Sequence, residues 1–186
     1  MAVRSFIAFD TPESVKSQLS EIQAKLRTSG ADVRWEPREK FHATIKFLGD
    51  VEENSMPPLV ETIKRSLGGV KPFKIECALL GCFPNIKRPR VVWVGCDNTD
   101  GVLENAKNAL DDALLPLGFE KEDREFHSHV TLGRIRSPRR LRDLTQMLET
   151  VTFATQTFVC EEILLMRSVL KSSGSEYSLV QSFPLS

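Results

Sequence analysis

Hydrophobic and polar residues alternate along the first half of the chain in a pattern that predicts strands separated by amphipathic helices. The run RSFIAF at residues 4–9 is typical of a buried strand, which ends at Asp10. A helix should follow, because the next apolar residues recur at intervals of three and four positions: Val15, Leu19, Ile22 and Leu26. After a further strand, FHATIKFLGD, a serine and two prolines open a helix that carries Leu59, Ile63 and Leu67.

The second half of the chain repeats this order. A strand, VVWVGC, ends at Asp97 and precedes a helix containing Leu103 and Leu110, which is followed by the strand FHSHVTLGRI and a last helix. Asp10 precedes His42 by 32 residues, and Asp97 precedes His129 by the same number. The repeated spacing predicts two duplicated β-α-β units within a single domain, with halves of roughly residues 1–84 and 85–186.

The hairpins and runs of strands favour antiparallel pairing with the helices packed outside, which is an α+β arrangement. A closing strand is predicted from Glu176 to Leu185. Because each unit carries one copy of the same short motif, we expect a bilobal, pseudo-twofold molecule with a central cleft between the two motifs.

The motif is His-x-Thr followed by an apolar residue, and it occurs at His42-Ala43-Thr44-Ile45 and at His129-Val130-Thr131-Leu132. Residues i and i+2 of a strand point to the same face. Each copy therefore presents an imidazole and a hydroxyl together. Two of the three histidines of the chain lie in these matching places, which favours a functional role over a structural one.

Two imidazoles in one cleft can act as general base and general acid in a single turnover, because histidine titrates near neutral pH. The hydroxyls of Thr44 and Thr131 can donate hydrogen bonds to phosphate oxygens as charge develops. Phosphoryl transfer depends mainly on positioning and electrostatics. The pattern thus predicts metal-independent phosphoryl chemistry with His42 and His129 as catalytic residues, although symmetry leaves open which is the acid.

We expect positively charged side chains to contact the phosphate group of the substrate. Lys46 shares strand parity with His42 and Thr44, so we expect it to line the cleft. Two basic stretches, one at residues 87–90 and one at residues 136–142, could rim the cleft and make binding salt-dependent. Phe41, Phe83 and Trp35 are candidates for stacking a terminal base, with packing in the core as the alternative that we favour for each. His127 could reach the edge of the cleft, where we expect a partly solvated flanking residue, not a catalytic one, whose protonation could still tune the pKa of His129.

Composition limits the kinds of binding partner and the cellular setting that we expect for the chain. The formal net charge is zero, so no overall field draws the chain to nucleic acid, and any contact must come from a local patch. The four cysteines form no C-x-x-C pair and lie mostly in apolar runs, which favours reduced, buried thiols and a cytoplasmic setting. No segment approaches the roughly 20 apolar residues of a membrane span.

The flanks of both motifs resemble one family, the 2H phosphoesterases, and among them the bacterial and archaeal RNA 2′,3′-cyclic phosphodiesterases, also called 2′-5′ RNA ligases. The likeness extends nearly end to end and rests on the segments RSFIAFDTPE, DVRWEPREKFHATIKFLGDV, GCFPNIKRPRVVWVGC, EFHSHVTLGRIR and LLMRSVLKSSGSEYSLVQSFPL. One departure is Ser128, which stands where the family often has proline before the second histidine.

The resemblance implies hydrolysis of a 2′,3′-cyclic phosphate at an RNA end, tRNA fragments included, to leave a 2′-phosphate, with 2′-5′ ligation as a side activity. Carried across residue by residue, His42 would be the acid that protonates the departing 3′-oxygen and His129 the base that activates water. Thr44 and Thr131 would hold the phosphate. The family also places an arginine near the phosphate at Arg134, although regular alternation from His129 would turn that residue to the other face.

Three other hypotheses stay open. The same fold could act on a smaller substrate such as ADP-ribose 1″,2″-cyclic phosphate. His42, His127 and His129 could instead hold a zinc ion, and the cleft could bind RNA or nucleotides without catalysis. We expect a monomer that uses neither a cofactor nor a metal ion. We expect it to have no obligate protein partner and not to associate with a membrane.

Overall fold

The computed structural model describes residues 2–171 and 174–186, and within these residues the chain forms nine strands and four α-helices. The strands are β1 (Ala2–Asp10), β2 (Val33–Trp35), β3 (His42–Glu52), β4 (Phe73–Phe83), β5 (Val91–Asp97), β6 (His129–Ile135), β7 (Gln156–Cys160), β8 (Glu162–Lys171) and β9 (Gly174–Pro184). The helices are α1 (Glu13–Arg27), α2 (Met56–Ser66), α3 (Val102–Leu114) and α4 (Leu141–Thr150).

All strand pairs in the sheet are antiparallel. Eight strands follow the order β7-β4-β5-β6-β3-β1-β8-β9, and β2 pairs with β6 beside this path. The two motif strands, β3 and β6, lie at the centre. The α+β class and the antiparallel pairing predicted from the sequence are confirmed.

The four helices cover one face of the sheet. Alternate strand residues, among them Ile7, Phe9, Ala43 and Val130, are fully or almost fully buried against the apolar faces of the helices. Burying a side chain such as Leu or Ile contributes about 1.5–3 kcal/mol relative to leaving it exposed. The helix-covered face thus holds the core, and the strand residues of opposite parity form the second face of the sheet.

The halves of the sequence do not coincide with the halves of the sheet. β4 belongs to the first 84 residues but pairs with β5 and β7, whereas β8 comes from the second half and pairs with β1. Each side of the sheet therefore contains a strand from the other half of the sequence. The duplicated units are interlocked, which the spacing of the motifs alone does not reveal.

The cysteine prediction is wrong for one pair. Cys77 on β4 and Cys96 on β5 occupy facing positions in the strand register and form a disulfide, with their Cα atoms 4.0 Å apart. The other two cysteines, Cys82 and Cys160, are free. Sequence spacing misses such a pair because strand pairing, not local sequence, brings the thiols together. The cysteines consequently give no argument for a reducing compartment.

Within the part of the chain that the structure describes, none of the helices has the length and apolar character needed to cross a membrane.

Candidate active site

The two His-x-Thr motifs meet at the centre of the sheet. Ala43 on β3 pairs with Val130 on β6, and both side chains are buried under the helices. Because side chains alternate along a strand, the histidine and threonine of each motif lie on the opposite, open face. The antiparallel register places Thr44 across from His129 and His42 across from Thr131. The structure thus brings together all four residues that the motif predicts.

A backbone carbonyl two residues earlier fixes each imidazole. His129 Nδ1 lies 2.6 Å from the carbonyl oxygen of His127, and His42 makes the equivalent backbone hydrogen bond with Lys40. A carbonyl oxygen can only accept, so Nδ1 of His129 carries the hydrogen and Nε2 is left free. The contact therefore selects the tautomer of His129 that can take a proton from a substrate or from water.

Aromatic rings surround both imidazoles. The Phe6 ring stacks on His42 with centroids 5.1 Å apart, and Tyr177 meets the same imidazole edge-on at 5.1 Å. Phe83 and Trp93 lie 4.9 and 6.0 Å from His129. These rings restrict water around the imidazoles and limit their rotation.

Burial lowers the pKa of both histidines. For His42 burial is the largest effect and brings the pKa to about 4, against the raising influence of the Lys40 hydrogen bond and the Asp10 charge. For His129 burial again dominates, against the raising influence of the hydrogen bond with the His127 carbonyl, and electrostatic repulsion from Arg134 and His127 adds to the lowering of its pKa. Both imidazoles are therefore neutral at neutral pH in the free protein. An anionic ligand between them would favour their protonated forms.

The two threonine hydroxyls are available to a ligand. Thr44 and Thr131 are partly buried on the open face, and among the described residues neither hydroxyl has a hydrogen-bond partner in the protein. Each hydroxyl can donate one hydrogen bond to an oxygen placed between the two motifs.

Lys46 does not line the cleft, so the prediction for this residue is wrong. The pairing of β1 with β3 skips Ile45, because Ile7 faces Lys46 and Ala8 faces Thr44. Such a β-bulge inverts the alternation of side chains. Ile45 and Lys46 consequently both point to the helices, and Lys46 is buried in an ion pair with Asp111 at 2.7 Å.

The same irregularity returns Arg134 to the open face. The pairing of β5 with β6 skips Leu132, so that Leu132 and Gly133 are both buried and the half-exposed Arg134 lies on the side of His129. Its Nε is 3.8 Å from a carboxylate oxygen of Glu36. The alternation assumed for a regular strand is wrong at this position, and the placement that the family resemblance implied fits the geometry.

The bulge also exposes Phe47, which sequence reasoning did not select. Phe47 follows His42 by five residues, as Arg134 follows His129, and its side chain is 60% exposed on the open face beside Phe6. The sequence offered one signal for Phe47: it occupies the position in the first motif that Arg134 occupies in the second, and both strands have a bulge after the motif threonine. Tyr177 was also missed, because only the pairing of β8 with β9 brings it to His42.

The other aromatic candidates have different surroundings. Phe41 is fully buried in the core, and Trp35 lies on β2 opposite Gly133 with the Arg27 guanidinium 5.7 Å from its ring. Only Phe83, beside His129, lies at the candidate site. The exposed basic loop at residues 87–90 follows it, and the amide of Arg90 donates to the carbonyl oxygen of Phe83.

The three-histidine zinc site is not assembled. The His127 side chain is more than half exposed, and its Nε2 lies 3.6 Å from a carboxylate oxygen of Glu125. No cluster of three or more His, Cys, Asp or Glu residues is placed to hold a metal ion within residues 2–171 and 174–186. His127 contributes its carbonyl oxygen to the site, whereas its ring lies 6.3 Å from that of Phe83 at the edge.

Comparison with known proteins agrees with this geometry. The model of the LigT-like phosphoesterase family matches the chain twice, over residues 9–93 and 94–177. The RNA 2′,3′-cyclic phosphodiesterase of Methanothermobacter thermautotrophicus is 32% identical over 186 residues, covering 100% of both chains. The protein of the same name from Methanocaldococcus jannaschii is 32% identical over 184 residues, covering 97% of this chain and 100% of its own.

Solved structures share the fold. TT0787 of Thermus thermophilus superposes with a TM-score of 0.81 at 26% identity, covering 98% of this chain and 97% of its own. Escherichia coli LigT in complex with 3′-AMP gives a TM-score of 0.80 at 23% identity, covering 100% and 99%. With two family matches that together span most of its length and full-length relatives above 30% identity, the chain belongs to the LigT-like phosphoesterases of the 2H superfamily.

Proposed function

We propose that this protein hydrolyses 2′,3′-cyclic phosphate ends of RNA to 2′-phosphates by metal-independent acid–base catalysis. The observation that carries the proposal is the diagonal arrangement of two imidazoles and two threonine hydroxyls around one point of the sheet. The names of the full-length relatives support the cyclic phosphate as substrate.

In the proposed reaction, Nε2 of His129 removes a proton from a water molecule as the water oxygen attacks phosphorus. The bond between phosphorus and the 3′-oxygen breaks, and His42 donates a proton to that oxygen. The product carries a 2′-phosphate and a free 3′-hydroxyl. Thr44 and Thr131 donate hydrogen bonds to the non-bridging oxygens, where negative charge accumulates.

The low pKa of His42 in the free protein is compatible with its role as an acid. The substrate phosphate is an anion, and a negative charge within a few ångströms favours the protonated imidazole. His42 would therefore gain its proton as the substrate binds. The ring of aromatic side chains keeps the local dielectric low, which strengthens this coupling between the phosphate and the imidazole.

The open face favours RNA over a free phosphate diester. Phe47 on one side and Phe83 on the other can each stack a base, and Arg134 can pair with a phosphate oxygen. With the 5′-hydroxyl of a second RNA in place of water, the same groups would form a 2′-5′ linkage. We propose this ligation as a side activity.

The decisive experiment incubates a short RNA ending in a 2′,3′-cyclic phosphate with the protein in excess EDTA and identifies the product by phosphorus NMR. The expected result is a 2′-phosphate, with turnover abolished by His42→Ala and by His129→Ala. Melting temperatures and circular dichroism of both variants control for folding. A 3′-phosphate, or near-normal kcat in either variant, would contradict the mechanism.

A parallel assay with a cyclic mononucleotide and with ADP-ribose 1″,2″-cyclic phosphate separates the substrates. Higher kcat/KM for the oligonucleotide supports RNA. Equal or higher kcat/KM for the small substrates would contradict an RNA end as the preferred substrate. Binding of nucleotides without any turnover would make the protein a binding module.

A further inference from the structure

A buried lysine links the first motif to the segment that leads into the second. The Lys46 side chain is 1% exposed, and its Nζ donates to Asp111 Oδ1 at 2.7 Å and to the carbonyl oxygen of Glu120 at 2.6 Å. Removing an ammonium group from water is unfavourable unless close partners compensate. The position of Lys46 is therefore tightly defined by these two acceptors.

The carboxylate of Asp111 is shared. Its other oxygen, Oδ2, lies 2.7 Å from Lys107 Nζ, one turn earlier on α3. Lys107 thus supports Asp111 but makes no hydrogen bond with the backbone of the segment at residues 119–128. Its ammonium group lies 5.8 Å from the centre of the Phe126 ring. The Nζ atom of Lys46, on β3, thus contacts both Asp111 on α3 and the Glu120 carbonyl oxygen.

The segment at residues 119–128 has neither helix nor strand, so side chains and individual hydrogen bonds must hold it. Its end forms part of the site, because the carbonyl oxygen of His127 accepts from Nδ1 of His129. The next carbonyl, that of Ser128, accepts from the amide of Cys96. A shift of this segment would move the acceptor that fixes the His129 tautomer.

We propose that Lys46 is a positioning residue for His129: by holding the Glu120 carbonyl against Asp111, it keeps the segment at residues 119–128 in place and the His127 carbonyl on Nδ1 of His129. The strand that presents one imidazole thereby orients the other. The part of this proposal that concerns turnover rests on the proposed function, whereas the part that concerns the state of His129 does not.

The test replaces Lys46 with methionine, which has similar length and no charge and leaves Asp111 paired with Lys107. For Lys46→Met we expect kcat to fall by roughly tenfold or more, since small displacements of a catalytic group are costly. KM for the cyclic-phosphate RNA should change less than kcat. The NMR signal of the His129 Nδ1 hydrogen should shift or disappear, while the signals of the His42 ring stay in place.

The matched control is Lys107→Met, which removes the other lysine from the same carboxylate. It should lower the melting temperature by a similar amount while keeping kcat within about threefold of wild type. Lys46→Arg, which keeps the charge and the donors, should recover part of the lost kcat. Equal kcat in Lys46→Met and wild type, with an unchanged His129 signal, would show that Lys46 only stabilises the fold.

If Lys46→Met does not fold, Lys46→Gln answers the same question, because its shorter amide cannot serve both acceptors. An altered His129 signal in that variant supports the proposal, and an unaltered signal overturns it. Should wild type show no turnover on the RNA, the proposed function fails. The NMR comparison still decides whether Lys46 positions His129.

Discussion

Thr44 lies across the central strand pair from His129, and the same register sets Thr131 across from His42. The backbone pair between Ala43 and Val130 produces this arrangement. Because the strands are antiparallel, the residue after Ala43 faces the residue before Val130, and the residue before Ala43 faces the residue after Val130. Each imidazole is thus opposite the hydroxyl of the other motif. A phosphate bound at the centre would receive a hydroxyl from each strand and lie between the two rings.

The threonines should matter less than the histidines. Thr44→Ala and Thr131→Ala each remove one hydrogen bond to a charged group, which is about 1.5–3 kcal/mol or roughly 10- to 150-fold in kcat/KM. Kinetics with the cyclic-phosphate RNA would measure this loss. Replacement by serine keeps the hydroxyl and should restore most of the activity. Unchanged kcat/KM in both alanine variants would exclude contact between the hydroxyls and the phosphate.

Anion binding should raise the pKa of His42 from its value of about 4 in the free protein. The cause of the low pKa is mainly burial, and a phosphate between the motifs would offset it by favouring the imidazolium. NMR titration of the ring signals, with and without a saturating 2′-nucleoside monophosphate, would follow the change. A His42 pKa that does not respond to the ligand would contradict the proposed role of His42 as proton donor.

The pH dependence of stability should follow from the same group. The pKa of His42 is lower in the folded protein than in the unfolded chain. Between about pH 6.5 and pH 4 this histidine is therefore protonated in the unfolded chain but neutral in the folded protein. The free energy of unfolding should consequently fall as the pH drops through this window, by an amount on the order of 2–3 kcal/mol. Denaturant titrations at several pH values would measure it.

His42→Gln is the control for that dependence, since glutamine does not titrate and has a comparable size. Its unfolding free energy should depend less steeply on pH across the window than that of wild type, with the remaining slope due in part to His129, whose pKa is also lowered. Parallel slopes for variant and wild type would show that His42 has an ordinary pKa in the folded protein.

Phe47 should contribute to the binding of an RNA base. Stacking on an aromatic ring is worth about 1–3 kcal/mol per base, so Phe47→Ala should raise KM for the RNA by roughly 5- to 150-fold, with a smaller change in kcat. Steady-state kinetics on the oligonucleotide would show the effect. Leu115→Ala, which removes an exposed apolar residue that follows α3, is the control and should leave KM unchanged. An equal KM for Phe47→Ala and wild type would place the base elsewhere.

The sequence carried enough information for the fold class and for the pairing of His42 with Thr44 and His129 with Thr131, because these depend on strict two-residue alternation over three positions. The same alternation gave the wrong face for Lys46, two residues beyond Thr44, and for Arg134, three residues beyond Thr131. A bulge at Ile45 turned Lys46 into the core, and one at Leu132 turned Arg134 out of it. A bulge depends on how two strands fit together, so residue parity within one strand could not predict it.

The Cys77–Cys96 disulfide and Tyr177 were inaccessible for the same reason. Both depend on which strands become neighbours, and β4 and β8 lie beside strands from the other half of the sequence. Local patterns describe each strand but not its place in the sheet. Duplication of the motif was visible in the sequence, whereas the exchange of strands between the two units was not.

Because β4 and β8 each pair with strands from the other half of the sequence, the sheet can be completed only in a certain order during synthesis. β1 leaves the ribosome first and can pair with β3 early, but its other edge has no neighbour until Glu162–Lys171 has been made. Tyr177, which packs against the ring of His42, follows later still. Because contacts between distant parts of a chain form late, the surroundings of the first histidine are finished only after those of the second have been translated.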